Sequence, residues 1–353
     1  MTLAERLAAH TEIAAFLSAL GDRELGELVA AGEPLGAGIG GRAVRLSVGG
    51  RPVFVKRVPL TDLERLPDNV RSTADLYGLP PYCHYGIGAI GGPGHGAWRE
   101  LDAHTTTTGW VLTGRFPGFP LLHHWRVLPD GPHPLPDELA DVERVVAYWG
   151  GGAAVRERVE GLRTASASLT LFLEHVPRTL HDWFDAELRT ERADAACARV
   201  AQGLGELTGF LDQAGLLHLD AHFRNILTDG RRLYLTDFGL ALDARFRLGE
   251  GERDFLARHR HYDRAYTAYF LVIWLVTALY GHRGEERADF VRALAGGARP
   301  EGVPRAAAEL LTRHAPLAVT MGEFCREVER ESRMTPFPHR ELERLYSSST
   351  LSA

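Results

Sequence analysis

Lysine is almost missing from this sequence. Of the 40 basic residues in 353, one is lysine, Lys56, and the other 39 are arginine. The two cations serve a solvated surface about equally, so the skew reads as genome-wide codon bias. A lysine kept against such bias marks a place that needs a compact ammonium on a slim stem and not a planar guanidinium. Cysteine is scarce too: Cys83, Cys197 and Cys325 are far apart and form no CxxC pair. This excludes a disulfide scaffold and a cysteine zinc site, and it suits a reducing compartment. There is no excess of positive charge. A net charge of −6 and a pI near 6.2 argue against a nucleic-acid partner. Long apolar runs are missing as well. The most apolar stretch, Tyr266–Tyr280, falls short of the ~20 residues a bilayer requires and reads as a buried core helix, so no membrane partner is expected. The opening Met1-Thr2-Leu3-Ala4-Glu5-Arg6 carries an acid and broken apolar runs, unlike a secretory leader, and the expected location is cytoplasmic.

What is present is ordinary for a globular chain: 45% hydrophobic and 24% charged residues, in a mass of 38.9 kDa that suits two compact lobes. Residues 1–32 predict two short amphipathic helices. Gly36-Ala37-Gly38-Ile39-Gly40-Gly41 follows, leading into alternating Val44, Leu46 and Val48, a Gly49-Gly50 turn, and a second strand that carries Lys56. Residues 59–97 are rich in turn formers and predict an irregular excursion. A helix from about Trp98, a strand near 121–128 and two helical stretches within 130–165 come next, and Leu169–Val176 predicts a buried strand. Beyond Pro177 the pattern is mostly helical, interrupted by a hairpin over 226–236 around Asp229-Gly230. The closing Ser347–Ala353 predicts a disordered tail, with serines open to autophosphorylation.

Two groups of residues carry chemistry. One is the glycine triad Gly36, Gly38 and Gly41 with Lys56 on the next strand. The other is His218-Leu219-Asp220-Ala221-His222-Phe223-Arg224-Asn225, a short hairpin, then Asp237-Phe238-Gly239. The triad alone is weak, and a dinucleotide-binding loop shares its spacing, but here it leads into a strand and not a helix. The ordered set resembles the protein-kinase-like superfamily, which includes eukaryotic-type protein kinases and the aminoglycoside and choline phosphotransferases, in an atypical bacterial form.

The resemblance implies an α+β, bilobal protein-kinase-like fold: a helical extension over 1–32, a β-rich N-lobe over 33–176 with insertions at 59–97 and 130–165, and an α-rich C-lobe over 177–353. It implies ATP and Mg²⁺ as cofactors. Asp220 matches the residue that accepts the attacking hydroxyl's proton, while Asn225 and Asp237 match the metal ligands. His222 departs from the lysine usual in protein kinases; it is placed either beside the transferred phosphate or as loop packing. Gly36, Gly38 and Gly41 would close over the phosphates and Lys56 would pair with them. Glu100 is the acid expected to orient Lys56, with Glu64 its rival. Glu174 and Val176 match the hinge that receives adenine through backbone groups, and Leu235 or its apolar neighbours the floor beneath it. Asp263 matches either the acid that anchors the catalytic loop or a plain helix cap.

Three functions stay open. The first is transfer to Ser or Thr of a protein or peptide, including precursor peptides of natural-product clusters in which phosphoserine is a leaving group. The second, a small-molecule hydroxyl kinase, draws on His222 and on the lack of Ala-Pro-Glu after Asp237. The third is a pseudokinase scaffold, against which stands the complete set Lys56, Asp220, Asn225 and Asp237. Oligomeric state is left open.

Overall fold

The computed structural model describes residues 1–350 except Ile39, Ala89 and Pro132, and of residues 347–350 only the backbone. Ile39 of the glycine run, Pro132 of the loop after residue 129 and the last three residues of the serine-rich tail therefore lie outside it. The protein is a mixed α+β chain that divides into two compact units. One comprises Met1–Val176 with Thr236–Arg253, the other Pro177–Leu235 with Asp254–Ala353.

In the first unit α1 (Leu3–Ser18) and α2 (Asp22–Ala30) precede the strands β1 (Glu33–Gly38), β2 (Gly41–Val48) and β3 (Arg51–Leu60). A short α3 (Asp62–Arg65) opens the excursion. Then come α4 (Ala97–Leu112), β4 (Leu122–Pro129), α5 (Asp137–Ala140), α6 (Val142–Tyr148), α7 (Ala153–Thr164) and β5 (Ala167–Glu174). The five strands form one antiparallel sheet in the order β1-β2-β3-β5-β4. Alternation along β3 sorts its side chains between two faces. Val53 and Val55 join Leu46, Val48 and Phe172 under Ile13, Leu17, Leu25 and Val29 of α1 and α2. Phe54, Val58 and Leu60 join Leu169, Leu171 and Leu173 against Ala97, Trp98 and Leu101 of α4. Every residue of β5 is buried, as a central strand covered on both faces must be. Lys56 has the parity of Phe54 and Val58, so its stem leaves the sheet on the α4 side.

The two insertions, which the sequence leaves without a role, share a core of their own. Leu79, Cys83 and Ile90 pack with Leu139, Val145, Trp149, Val155 and Val159.

In the second unit β6 (Arg178–Thr179), α8 (Leu180–Leu188), α9 (Ala193–Ala214) and β7 (Leu216–Leu217) lead to the hairpin of β8 (Ile226–Thr228) and β9 (Leu233–Leu235). Gly215 ends α9 with φ +72°, a left-handed conformation that glycine adopts without strain. Residues 236–253, expected with the C-terminal part, belong to the first unit; they hold β10 (Leu242–Asp243) and the start of α10 (Glu250–Arg258). The chain then completes the second unit with α11 (Tyr262–Tyr280), α12 (Gly284–Ala295), α13 (Arg305–Arg330) and α14 (His339–Thr350). The apolar α11 is largely buried, and among the described residues no single helix is long and apolar enough to cross a membrane. The serine tail corrects one expectation: α14 runs through residue 350, because the 339–346 stretch is amphipathic, burying Leu342, and carries the helix on.

Candidate active site

Lys56 sits between two carboxylates of its own unit. Its Nζ is 2.7 Å from Glu100 Oε1 and 2.7 Å from Asp237 Oδ1. Register explains the first contact: α4 packs on the sheet through Trp98 and Leu101, which leaves Glu100 facing β3. Glu100 is thus the acid that meets the lysine. The rival Glu64 is committed elsewhere: it accepts from Thr61, from Arg158 and from the Ala97 amide at the start of α4. Burial alone would lower the Lys56 pKa, but Asp237 and Glu100 outweigh it and hold the ammonium well above its ordinary value. Burial also pushes the Glu100 carboxyl up, opposed by Lys56.

Asp237 has φ +65°, a strained conformation for a residue with a side chain, of the kind found at functional sites. The next side chain, Phe238, is 1% exposed and meets His104 of α4 edge-on at 4.9 Å between ring centroids. With Phe238 anchored against α4, Asp237 turns to Lys56. The Asp237 side chain is 42% exposed against 9% for Lys56, so it is the member of the trio that a hydrated cation can reach.

The glycine run forms the end of β1, a turn, and the start of β2; Gly36 pairs with Ala43 and Gly38 with Gly41. Gly36 and Gly41 have φ of +132° and +118°. A Cβ on Gly41 would collide with the Arg57 carbonyl. The glycine nearest the lysine is one outside the triad. A Cβ on Gly40 would stand 2.8 Å from Lys56 Nζ and 3.7 Å from Asp237 Oδ1. The sequence signal for it was the unbroken Gly40-Gly41 pair.

In the second unit Asp220, His222 and Asn225 share one tight loop. Asn225 Nδ2 donates to Asp220 Oδ2 and to the Asp220 carbonyl, each at 3.0 Å. With that amide nitrogen engaged, the amide oxygen is what Asn225 offers a cation. His222 Nδ1 accepts from the Arg224 and Asn225 amides at 3.2 Å, so the ring caps the turn. Its Nε2 lies 3.8 Å from Asp220 Oδ2. The loop-packing role is therefore present, with the other nitrogen on the Asp220 side. Asp263, at the start of α11, accepts from the His218 amide at 2.6 Å and the Leu219 amide at 2.8 Å. It is not the cap of α11, whose N-cap residue is His261; it holds Leu219 at φ +66° and fixes the loop backbone just ahead of Asp220. Full burial pushes the Asp263 carboxyl up to about 7 against the pull of those amides.

Glu174 ends β5, and its carboxylate belongs to Arg6 of α1. Arg6 Nε and Nη2 each donate to it at 2.8 Å, and the guanidinium also reaches the Pro117 and Phe119 carbonyls. The Glu174 amide donates to the Leu121 carbonyl at 2.8 Å. Nothing in the sequence marked Arg6, one arginine among 39. Val176 closes the first unit's N-terminal stretch two residues later.

Comparison with known proteins gives little beside this geometry. No family model matches the chain. It is 35% identical over 94 residues to a probable bifunctional tRNA threonylcarbamoyladenosine biosynthesis protein of Methanosarcina barkeri. That similarity covers 24% of this chain and 17% of the archaeal protein.

Proposed function

We propose that the chain takes a two-lobed, protein-kinase-like form and transfers the γ-phosphoryl group of ATP to a hydroxyl, with Ser or Thr of a protein or peptide as the first acceptor class. The observation that carries this is the Lys56 ammonium, held 2.7 Å from both Glu100 and Asp237 beneath Gly40. Phosphoryl transfer asks a protein for positioning and charge neutralisation more than for covalent chemistry. In this reading Lys56, oriented by Glu100, pairs with the nucleotide phosphates, and the glycine hairpin offers its amides to them. The carboxylate of Asp237 and the amide oxygen of Asn225 are hard donors of the type Mg²⁺ prefers. Magnesium, when bound, would neutralise the phosphate charge. Asp220 accepts the hydrogen bond of the attacking hydroxyl, and Asn225 keeps its carboxylate in place. With the Glu174 side chain held by Arg6 and its amide by Leu121, the hinge Glu174-His175-Val176 would receive adenine through its remaining backbone groups.

His222 and the lack of Ala-Pro-Glu favour a second reading, a small-molecule hydroxyl as acceptor. The likeness to the archaeal biosynthesis protein supports an enzyme over a scaffold; a net charge of −6 speaks against carrying its tRNA over to this chain. The test is γ-labelled ATP offered with Mg²⁺ to panels of peptides and of polar metabolites. Label should enter one panel with the wild type and fall by roughly 10²-fold or more in Asp220→Asn, while the thermal shift by ATP·Mg²⁺ persists. Normal turnover by Asp220→Asn, or no ATP·Mg²⁺ shift in the wild type, overturns the reading.

A further inference from the structure

The excursion over 59–97 brings two histidines against an acid from the segment that follows Asp237. His84, His95 and Glu252 are 0%, 3% and 5% exposed, all in the first unit. One donor atom from each lies within 4.8 Å of the others. The imidazoles stack with centroids 3.5 Å apart and planes 4° from parallel. His84 Nδ1 lies 2.9 Å from the Leu240 carbonyl. A carbonyl only accepts, so that nitrogen carries the proton, and the Nε2 lone pair points the other way. It faces Glu252 Oε1 at 3.8 Å. An imidazole nitrogen and a carboxylate oxygen on one zinc ion stand about 3.2–4.2 Å apart, since each bond is about 2.0–2.2 Å.

His95 supplies the second, independent observation. Both of its ring nitrogens are buried and neither has a hydrogen-bond partner. Buried polar atoms in native proteins are paired, so an orphaned imidazole in a closed site requires an explanation. We propose that His84, His95 and Glu252 bind a single divalent cation of borderline softness, zinc first, which ties the excursion to the chain beyond Asp237-Phe238-Gly239. The donor set of two imidazoles and a carboxylate leaves a fourth position for water. Arg99 Nη2, also buried without a partner, would donate to that water. Arg99 Nη1 lies 2.6 Å from Glu252 Oε1, so the carboxylate stands between guanidinium and metal and offsets their repulsion. No hydrogen bond restrains His95, and binding would turn its ring about χ2, out of the parallel stack, to aim a lone pair at the ion.

The proposal stands apart from phosphoryl transfer, and its test needs no nucleotide. The full chain, made without a histidine tag and stripped with chelator, is titrated with zinc chloride and, separately, cobalt(II) chloride. One equivalent should bind, raise the melting temperature and, with cobalt, give the visible absorption of a four-coordinate site. His95→Ala and Glu252→Gln should each weaken binding by roughly tenfold or more, and His124→Ala should not. Failure of the wild type to take up one equivalent overturns the proposal, whatever the variants do. So does unchanged affinity in His95→Ala, or in His95→Asn should the alanine variant not fold.

Discussion

At Lys56 two carboxylates share one ammonium, and the variants separate charge from shape. Lys56→Arg keeps the charge but replaces a point donor with a wide planar fork at a place too close to Gly40 for even a Cβ. Turnover should vanish while the fold persists, read as lost label transfer beside an unchanged circular dichroism spectrum. Gly40→Ala tests the same closeness from the other side. A Cβ 2.8 Å from Nζ must push the ammonium away, and ATP·Mg²⁺ affinity should fall about tenfold with little change in melting temperature. Gly41→Ala belongs to the backbone instead. With φ +118° and the Arg57 carbonyl in the way, it should cost about 2–4 kcal/mol of stability by denaturant unfolding. Much of this was legible beforehand. Composition alone isolated Lys56, and an acid on a helix facing the strand pointed to Glu100 over Glu64. Gly40 was missed because spacing cannot say which glycine of a run lies over a side chain; only the strand register can.

On the scale of an element, α1 is fastened to the sheet at two polar points as well as through Ile13 and Leu17. Beyond the Arg6–Glu174 pair, His10 Nδ1 and His123 Nδ1 are 3.0 Å apart, an arrangement that needs one nitrogen protonated and the other bare. Burial, then His10 and Arg6, hold His123 at about 3, and burial lowers His10 as well. A base whose folded pKa is depressed binds its proton first in the unfolded chain. Stability is therefore intact above the ordinary imidazole value of 6.5 and is lost as pH falls from there toward about 3. For His123 the slope approaches about 1.4 kcal/mol per pH unit, and His10 adds to it in the same direction. His123→Phe should flatten that part of the curve in denaturant unfolding followed from pH 7 to 4; an unchanged slope would count against the neutral pair. The sequence announced the helix through its apolar spacing but not these attachments, since a histidine pair with one ring buried and the other half-buried is a property of partners 113 positions apart.

Over the whole molecule, the chain passes between its two units three times, because Thr236–Arg253 returns to the first. Residues 1–176 alone lack Asp237, Phe238 and Glu252. That fragment should melt earlier and less cooperatively than the same fragment joined by a short Gly/Ser linker to 236–253. Calorimetry checks this, and equal traces would mean that the returning segment adds nothing to the unit. Periodicity placed most helices and strands because each one's pattern is local. Strand order was beyond it: β5 enters between β3 and β4 through pairings such as Lys56 with Leu171, which depend on matching faces far apart in the chain. The shared core of the two insertions escaped for the same reason, as it joins Leu79, Cys83 and Ile90 to Leu139, Val145 and Trp149 across a long stretch of sequence. The tail was misjudged because serine content masked the amphipathic spacing upstream of it.

Arg6 and Glu174 are 168 positions apart and each is the other's neutralising charge. Losing either leaves an ion stranded in a dry place, at a cost of about 3–5 kcal/mol, whereas replacing both with apolar side chains of similar volume is often close to neutral. Descent should treat the two codons as one heritable trait: in diverging lineages they change together, or neither does. Arg6→Met with Glu174→Leu would re-enact such a paired change in one step.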